Sequence, residues 1–396
     1  MSLRGKTAIV GMGETPVDRL GRKAGEPRRT TSEYLAWAVR LAIEDAGLTK
    51  KDFDGQGLAV VYTTNHSQPF WPEEAAGILG ISPGVLLGGG NGGASAVSLL
   101  GQASAMVSSG VVDLVLCVAA AAPFAEHRTR TEPADTHDFE MPFGVMGPNS
   151  KISLVMSRYM HEYGMTPDHF GKIAVTARYH ATLNPNAYLK KPLTLEEYKS
   201  SRLISDPVRL LDCVMPANGG KAYIIASSER ARTLSKPPVY LLGWGECHNP
   251  SAGPRFRANP LVTGIQKSGR VAFEMAGLPH SDVDFLGLYD DYITVIMLQI
   301  EDLGFCEKGD QKFFERTDFT FKGNLPIQTG GGMINCGQPS TTGGMLHVIE
   351  AVRQLRGEGG ARQVPDAKVG LVTGLGAVAY GKNFGCTAAA ILGKEV

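Results

Sequence analysis

The chain has 396 residues, in which 39 Lys and Arg balance 39 Asp and Glu, so the formal net charge is zero at pH 7. That length is too great for one small core and sufficient for two fused α/β domains. The charge balance provides no field that would attract nucleic acid or an anionic membrane surface, so neither class of partner is predicted. The six cysteines lack a Cys-x-x-Cys spacing and the nine histidines lack paired ligand spacing, so we expect no disulfide framework and no metal site in this chain.

The N-terminus carries an apolar run that is too short for a signal peptide and predicts a strand over Thr7 to Val10. No uninterrupted apolar segment approaches the ~18 residues that a membrane-spanning helix needs. The sequence therefore predicts a soluble, unexported chain, and a reducing cytoplasm is the simplest compartment for it.

An internal repeat predicts two equivalent halves. The segment 41–54, LAIEDAGLTKKDFD, returns as 271–284, VAFEMAGLPHSDVD, at a constant offset of 230 residues. In both copies a helix is predicted to stop at a glycine, Gly47 or Gly277, before an acidic turn and a strand. Duplicated units of this kind indicate a layered α/β fold.

Small residues dominate the stretch 88–122, GGGNGGASAVSLLGQASAMVSSGVVDLVLCVAAAA. Its glycines lead into an apolar helix pattern over Ala96 to Val107, and Val111 to Val118 predicts a buried strand. Glycines at a helix start let another group approach the backbone, and the free amides there favour negative charge. The pattern is typical of a turn that presents a nucleophile, but no obvious nucleophile is present.

This stretch resembles the thiolase superfamily, in particular its lipid-transfer-protein (SCP-x-like) branch. In that branch a Cys-x-x-Gly-Ser turn opens a buried helix, which ends in Gly before a strand that begins Ala-Asp. Counting back from the segment 109–113, SGVVD, places the family's cysteine on Gly93, with Ser95 two positions later. The family's acyl-cysteine therefore cannot form at Gly93, which has no side chain.

The resemblance implies an α/β fold of five layers, αβαβα, made of two duplicated halves with the active site between them. We expect an N-terminal half at 1–235, including an insertion at about 120–215, and a C-terminal half at 236–396. The helix predicted over 343–357 and the strand over 368–373 are the looser counterparts of the Gly-rich helix and its strand.

The insertion begins with a charged, Pro- and Gly-rich segment, 124–150, which is long enough to be a functional covering loop. Helices are predicted after it at 151–163, 167–182 and 195–200. In thiolases the insertion of this half covers the pantetheine arm of coenzyme A, and the resemblance implies the same role here.

Tyr289 lies at the end of the strand that closes the second repeat, in the run 287–292, GLYDDY. Lipid-transfer-type thiolases carry His-Asp-Cys-Phe there, so Tyr289 takes the place of a catalytic histidine. A phenol, with an ordinary pKa of about 10, can donate a hydrogen bond to a thioester or ketone oxygen, or shuttle a proton beside a suitable partner. The resemblance therefore predicts that Tyr289 is catalytic, with Asp290 beside it; a structural tyrosine is the alternative.

The glycine-rich segment 330–344, GGGMINCGQPSTTGG, resembles the family's Gly-Gly…Gly-His-Pro…Gly loop, with Gln338 where the cysteine-activating histidine stands. A neutral amide cannot take a proton at neutral pH, so an oxyanion-holding role is implied for Gln338. Cys336 and Tyr380 are further catalytic candidates, although packing is the favoured role of the cysteine. Six positions in these loops are expected to contact coenzyme A: Gly92, Ser95, Asn218, Gly219, Gly331 and Gly343.

Two reactions on a coenzyme A thioester suit a thiolase that lacks its cysteine. In the first, and the one predicted, coenzyme A thiolate cleaves a bulky or aromatic 3-oxoacyl-CoA directly, as the resemblance to benzoylsuccinyl-CoA thiolase implies. In the second, a 3-hydroxyacyl-CoA undergoes aldol cleavage, as in aldolases that shorten steroid side chains, which needs only proton removal and enolate stabilisation. Those aldolases carry a second tyrosine in a Gly-Glu-Ala-Tyr loop, where this chain has Gly337-Gln338-Pro339. A non-catalytic or acyl-transfer scaffold is the third alternative.

The resemblance also implies an assembly. Coenzyme A is the expected co-substrate, and a homodimer is expected to pair through the strand at 111–118. A DUF35-type subunit, made of a zinc finger and an OB-fold, would complete a heterotetramer. Any zinc would then belong to that partner.

Overall fold

The computed structural model describes residues 2–21, 23, 25–63, 66, 70–126, 136–249, 259–376 and 384–396. The strands assigned in these ranges are β1 (Thr7–Glu14), β2 (Gly57–Val61), β3 (Val85–Gly89), β4 (Leu114–Ala121), β5 (Leu203–Ser205), β6 (Val208–Arg209), β7 (Gly219–Ser227), β8 (Val239–His248), β9 (Phe285–Gly287), β10 (Val369–Gly376) and β11 (Cys386–Gly393). The α-helices are α1 (Thr31–Ala46), α2 (Trp71–Leu79), α3 (Ser95–Ser108), α4 (Gly147–Tyr163), α5 (Pro167–Thr182), α6 (Leu195–Ser200), α7 (Ser228–Ala231), α8 (Ile265–Ala276), α9 (Ile293–Asp302), α10 (Gln311–Arg316), α11 (Gly332–Cys336) and α12 (Met345–Leu355).

The large sheet consists of two half-sheets with the same strand order. Its nine strands run β3-β2-β4-β7-β1-β8-β11-β10-β9, and β1 meets β8 through the pairs Ala8–Tyr240 and Ile9–Val239. Within the first half the strands follow the order third, second, fourth, fifth, first. The second half repeats this order from the far edge, where a parallel bridge from Ile327 to β9 stands in the place of the third strand. The duplication predicted from the repeat is therefore confirmed by the topology.

The two copies of the repeat form the same local structure. Helix α1 ends at Ala46 and α8 at Ala276, and each is followed by a glycine in the left-handed region, Gly47 at φ +68° and Gly277 at φ +62°. Glycine is favoured at this position because it has no Cβ to clash in that conformation. A short 3₁₀ turn then leads into β2 or β9, as predicted.

Helices α3 and α12 form the middle layer. Helix α3 packs on β4 and β7 of the first half and on β10 and β11 of the second, while α1 and α8 cover the two outer faces. These helices and the two half-sheets form five layers, αβαβα, which confirms the predicted fold. The close approach in the middle layer depends on small residues, since a Cβ on Gly101 would overlap the indole ring of Trp244. The boundary expected at 235/236 falls in the connection between α7 and β8.

The strand expected at 111–118 forms as β4, but the prediction that a second copy pairs along it is wrong. Strand β4 is hydrogen-bonded to β2 on one edge and to β7 on the other, so both of its edges are occupied. The strand at the end of the first half-sheet is β3, which is half-exposed over most of its length. Whether a strand lies inside the sheet or at its edge depends on the order of the strands, which are distant from one another in the sequence.

The insertion contains the three predicted helices, as α4, α5 and α6. Helix α5 packs on α9 and α11, so the insertion of the first half reaches across to the second half. Of the covering segment 124–150, residues 127–135 lie outside the described ranges. In the ranges that are described, none of the helices combines the length and apolar character needed to cross a bilayer.

Candidate active site

Tyr289 is held by its backbone just beyond the end of β9. Its N–H donates to Thr373 Oγ1 at 3.0 Å, and its carbonyl accepts from Gln299 Nε2 at 2.7 Å. The Thr373 hydroxyl in turn donates to Gln299 Oε1 at 2.6 Å, so β10 and α9 fix the tyrosine together. Only 4% of Tyr289 is exposed. A reactive group held by rigid elements in this way keeps its geometry.

The ring of Tyr289 occupies the space where a side chain on Gly93 would lie. A Cβ built on Gly93 would come closer than 3.0 Å to the ring carbons and the hydroxyl oxygen of Tyr289, a separation that real Cβ atoms essentially never show. A residue with a side chain at position 93 is therefore incompatible with this placement of the tyrosine. The site that the family's cysteine occupies is filled from the other half of the molecule.

Gln338 connects the tyrosine to the first half. Its Nε2 donates to Tyr289 Oη at 3.2 Å and also to a carboxylate oxygen of Asp291. Its backbone is fixed in both directions, because its N–H donates to the Met215 carbonyl at 2.8 Å and its own carbonyl accepts from Ala217 at 3.0 Å. The side-chain amide is thus aimed at the tyrosine hydroxyl. Its oxyanion-holding role remains a prediction.

Asp291 is the third member of this group, and it is not among the candidates selected from the sequence. Its carboxyl, half-buried, hydrogen-bonds to Tyr289 and accepts from Gln338. Burial raises the pKa of Asp291 to about 7, and the neighbouring charge of Asp290 also raises it, while the two hydrogen bonds act in the opposite direction. Burial, followed by the charge of Asp291, raises the pKa of Tyr289 well above its ordinary value. At neutral pH the tyrosine is therefore protonated, whereas Asp291 is present in both its ionised and its protonated form.

Asp290 faces away from this group. It is fully buried; its Oδ1 accepts from the Met333 N–H at 3.0 Å and from His347 Nε2 at 2.9 Å, and its Oδ2 accepts from the Ile334 N–H at 3.2 Å. It caps the first turn of α11 and anchors the loop that carries Gln338. On an extended segment neighbouring side chains point to opposite sides, and this alternation could have identified Asp291 as the one facing Tyr289.

Cys336 lies two residues before Gln338 but is engaged elsewhere. Its thiol donates to the Gly330 carbonyl at 3.2 Å and accepts from Asn184 Nδ2 at 3.6 Å. Burial raises the pKa of Cys336, which keeps it as the unreactive thiol and favours a packing role. Tyr380 lies outside the described residues. Across the described ranges, no three His, Cys, Asp or Glu side chains are grouped to hold a metal ion.

Four of the expected coenzyme A contacts lie close to the segments that meet at Tyr289: Gly92 and Ser95 at the start of α3, Gly343 after Gln338, and Gly219 at the start of β7. Gly343 lies against the side chain of Gln338, and Gly219 lies 3.3 Å from Pro339, measured from a Cβ built on the glycine. Gly92 immediately precedes Gly93, and its carbonyl accepts from Ser95 Oγ at 2.7 Å. These positions line the junction of the halves, and their contact with coenzyme A remains a prediction.

The other two expected contacts have partners within the scaffold. Gly331, at φ +99°, packs so closely on α5 that a Cβ would overlap Ala181. Asn218 donates through Nδ2 to Asp18 Oδ1 at 3.0 Å and to the Leu20 carbonyl at 2.9 Å. Its side-chain oxygen accepts from the N–H of residue 124, so its amide ties the start of the covering segment to the first half.

Comparison with known proteins agrees with this architecture. The profile described as "Thiolase C-terminal domain-like" matches residues 254–393. A "Steroid side-chain-cleaving aldolase" of Thermomonospora curvata is 33% identical over 376 residues, covering 90% of this chain and 91% of its own. A "17-hydroxy-3-oxo-4-pregnene-20-carboxyl-CoA lyase" of Mycobacterium tuberculosis is 34% identical over 373 residues, covering 90% and 92%.

Two further matches bear on the reaction and the assembly. The "Benzoylsuccinyl-CoA thiolase subunit BbsB" of Thauera aromatica is 30% identical over 214 residues, which cover 52% of this chain and 54% of that subunit. Among solved structures, one described as "Ltp2-ChsH2(DUF35) aldolase" superposes with a TM-score of 0.86 at 31% identity and covers 99% of both chains.

The fold and these similarities define an enzyme built on a thiolase scaffold. The chain belongs to the thiolase superfamily, in the lipid-transfer-protein branch that the sequence predicted.

Proposed function

We propose that this protein is a carbon–carbon lyase that cleaves a 3-hydroxyacyl-CoA by a retro-aldol reaction. One observation carries the proposal: Tyr289 fills the space of the missing nucleophile beside Gly93. A site arranged in this way has a proton donor and acceptor where an acyl-enzyme would otherwise form. Aldol cleavage needs such a group and needs no nucleophile.

The reaction balances without an oxidant, water or a second substrate. The 3-hydroxyl group loses its proton, the bond between C2 and C3 breaks, and its electron pair forms the enolate of the shorter thioester. Protonation of that enolate at C2 gives a ketone or aldehyde and a shorter acyl-CoA. The N-terminus of α3, beside Gly93, carries the positive end of the helix dipole, which is suited to stabilising the enolate oxygen.

Thiolysis, the reaction predicted from the sequence, is the second candidate. The thiolase-like segment 337–339 supports it, as does the similarity to the benzoylsuccinyl-CoA thiolase subunit. The similarity to the aldolase and the lyase extends over 90% of the chain, compared with 52% for the thiolase subunit. For this reason we place aldol cleavage first.

We further propose that the coenzyme A thioester lies between the halves, under the covering segment 124–150. A homodimer bound to a DUF35-type subunit is the proposed active assembly, supported by the DUF35 named in the similar aldolase structure. The exposed edge of β3 is the surface that we propose for the contact between two copies.

The test is product analysis with the chain and a DUF35 subunit together, supplied with 3-hydroxyacyl- and 3-oxoacyl-CoA thioesters. A ketone or aldehyde plus one shorter acyl-CoA supports aldol cleavage, whereas two acyl-CoAs with consumption of free coenzyme A mean thiolysis. Intact-protein mass spectrometry of the same mixtures should show no acyl adduct on any cysteine. An adduct would refute this mechanism.

Substitution of the tyrosine completes the test. Tyr289→Phe keeps the ring and removes the hydroxyl, so turnover should fall by roughly 10²- to 10⁴-fold with little change in binding. Tyr198→Phe is the matched control, because Tyr198 is also buried and donates to a buried aspartate, Asp212, at 2.5 Å. It should leave turnover near that of the unmodified enzyme.

A further inference from the structure

We propose that Asp291 accepts, through the hydroxyl group of Tyr289, the proton that the substrate alcohol loses. This inference rests on the proposed retro-aldol function and assigns its proton acceptor. Asp291 acts through the tyrosine and is in that sense a positioning residue, whereas Tyr289 meets the reacting hydroxyl.

The three side chains form a closed hydrogen-bonded triangle. Asp291 hydrogen-bonds to the Tyr289 hydroxyl, and the Gln338 amide donates to both of them. The backbones of Asp291 and Gln338 are held by the same segment of the first half, since the N–H of Val214 donates to the Asp291 carbonyl at 2.9 Å and Gln338 is paired with Met215 and Ala217. Gln338 therefore holds the carboxylate against the tyrosine and stabilises negative charge on either oxygen.

A tyrosine in this position cannot serve as a base by itself. Burial and the adjacent carboxylate raise the pKa of Tyr289 well above its ordinary value, so the phenolate is scarce at neutral pH. The phenol can relay a proton only if a neighbour takes its own proton at the same time. Asp291 is suited to this, because burial raises its pKa to about 7, close to the operating pH of an efficient general base.

The proton transfers balance within the group. As the C2–C3 bond breaks, the substrate hydroxyl gives its proton to Tyr289 Oη, and Tyr289 gives its own proton to the Asp291 carboxylate. The electron pair of the broken bond forms the thioester enolate. Tyr289 then gives a proton to C2 of the enolate and takes back the proton held by Asp291. Both side chains return to their starting state, and the protein neither gains nor loses a proton.

The direction of the pH dependence follows from the charge that Asp291 must carry. It accepts a proton only when ionised, so kcat/KM should fall about tenfold per pH unit as the pH drops below about 7. Among the described residues, Asp290 is the charged neighbour that acts on Asp291, although its carboxylate faces the other way and is paired with His347 on α12.

The experiment measures kcat/KM from pH 5 to 9 for the unmodified chain, Asp291→Asn and Asp291→Glu, each with the DUF35 subunit. Asp291→Asn should lower kcat/KM at pH 8 by roughly 10²- to 10⁴-fold, with KM little changed. It should also abolish the acidic limb of the profile, which is the fall in kcat/KM below neutral pH. Asp291→Glu should recover part of the kcat/KM that Asp291→Asn loses, together with an acidic limb, because a carboxylate is present again. Asp212→Asn removes the aspartate of the Tyr198 pair and should leave the limb in place.

The outcomes separate this inference from the proposed function. Failure of the unmodified enzyme to release a ketone or aldehyde overturns both. Release of that product with no fall in kcat/KM below pH 7, or with an unchanged limb in Asp291→Asn, overturns the proton-acceptor role alone. Thermal melting of each variant tests whether it is folded. If a variant is not folded, a profile of the unmodified enzyme that stays flat below pH 7 still overturns the proton-acceptor role.

Discussion

At the scale of single residues, the candidate site depends on an exchange between positions 93 and 289. Tyrosine is larger than histidine, and it fits at 289 because Gly93, which has no side chain, leaves room for the ring. Gly344 allows its own segment to approach this turn closely, since a Cβ there would lie closer than 3.0 Å to the Gly93 carbonyl oxygen. The loss of the nucleophile and the gain of the phenol are therefore one structural change.

This exchange predicts strong energetic coupling between the two positions. Gly93→Ala should lower the free energy of unfolding by about 1–3 kcal/mol, since the methyl group overlaps the Tyr289 ring. Tyr289→Ala should cost about 3–5 kcal/mol by leaving a cavity. The double variant should lose clearly less than the sum, because the new methyl group then lies in that cavity.

Urea denaturation of the four proteins measures the coupling. Gly77→Ala in α2 is the control, since no atom lies within 4 Å of a Cβ built there, and it should stabilise the chain by up to about 1 kcal/mol. Strictly additive losses for Gly93→Ala and Tyr289→Ala would contradict the overlap.

The sequence was sufficient to select Gly93, Tyr289 and Gln338, since each is found by counting along a motif. For Asp291, alternation along the segment can show only that it shares a side with Tyr289, because the partner that marks its role, Gln338, is 47 residues away in the chain. Asp290 was selected instead, and only the fold shows that its carboxylate caps α11. Local sequence identifies which residue types are present, whereas their direction depends on contacts between distant segments.

At the scale of elements, His180 connects the insertion helix α5 to the second half. Its Nδ1–H donates to the Gln328 carbonyl at 3.1 Å, and its Nε2 accepts from the Phe321 N–H at 2.9 Å. The ring must stay neutral to make both bonds. Burial lowers its pKa from 6.5 to about 4.

The chain should therefore lose stability in mild acid through this histidine. Because the folded pKa is depressed, the stabilisation is fully present above pH 6.5 and is lost as the pH falls toward about 4, at up to about 1.4 kcal/mol per pH unit. His180→Leu should be less stable at pH 8 and should depend less on pH between 6.5 and 4. His161→Gln, on the exposed face of α4, is the control. Chemical denaturation at several pH values would contradict the role of His180 if the slopes of the two variants coincide.

Elements with strong local signals were predicted well, including both repeat helices, the helices of the insertion and the strand that follows α3. Sheet edges were not, and β4 shows the reason. Its continuous apolar character correctly indicated burial on both faces, but the same pattern says nothing about which strands lie beside it. Because β2 and β7 come from opposite ends of the first half, the occupation of both edges of β4 depends on the complete topology.

At the scale of the whole molecule, neither half contains the site alone. Gly93 lies in the turn just before α3, the middle-layer helix of the first half, whereas Tyr289, Asp291 and Gln338 belong to the second. The loop that carries Gln338 is in turn hydrogen-bonded to Met215 and Ala217 of the first half. Docking of the halves therefore assembles the site, and any change in their packing should affect Tyr289 directly.

The last prediction concerns the assembly of this molecule. The chain, of 42.2 kDa, should scatter light as a particle of twice that mass at micromolar concentration, and adding a DUF35 subunit should give a complex of two copies of each. If two copies meet along the edge of β3, its amides at 85–89 should exchange hydrogen more slowly at high than at low protein concentration, because pairing occupies the free edge. The amides of the hairpin β5–β6 are the control and should exchange at the same rate in both samples. A stable monomer at micromolar concentration would contradict the dimer, while a dimer without protection at 85–89 would place the contact elsewhere on the surface.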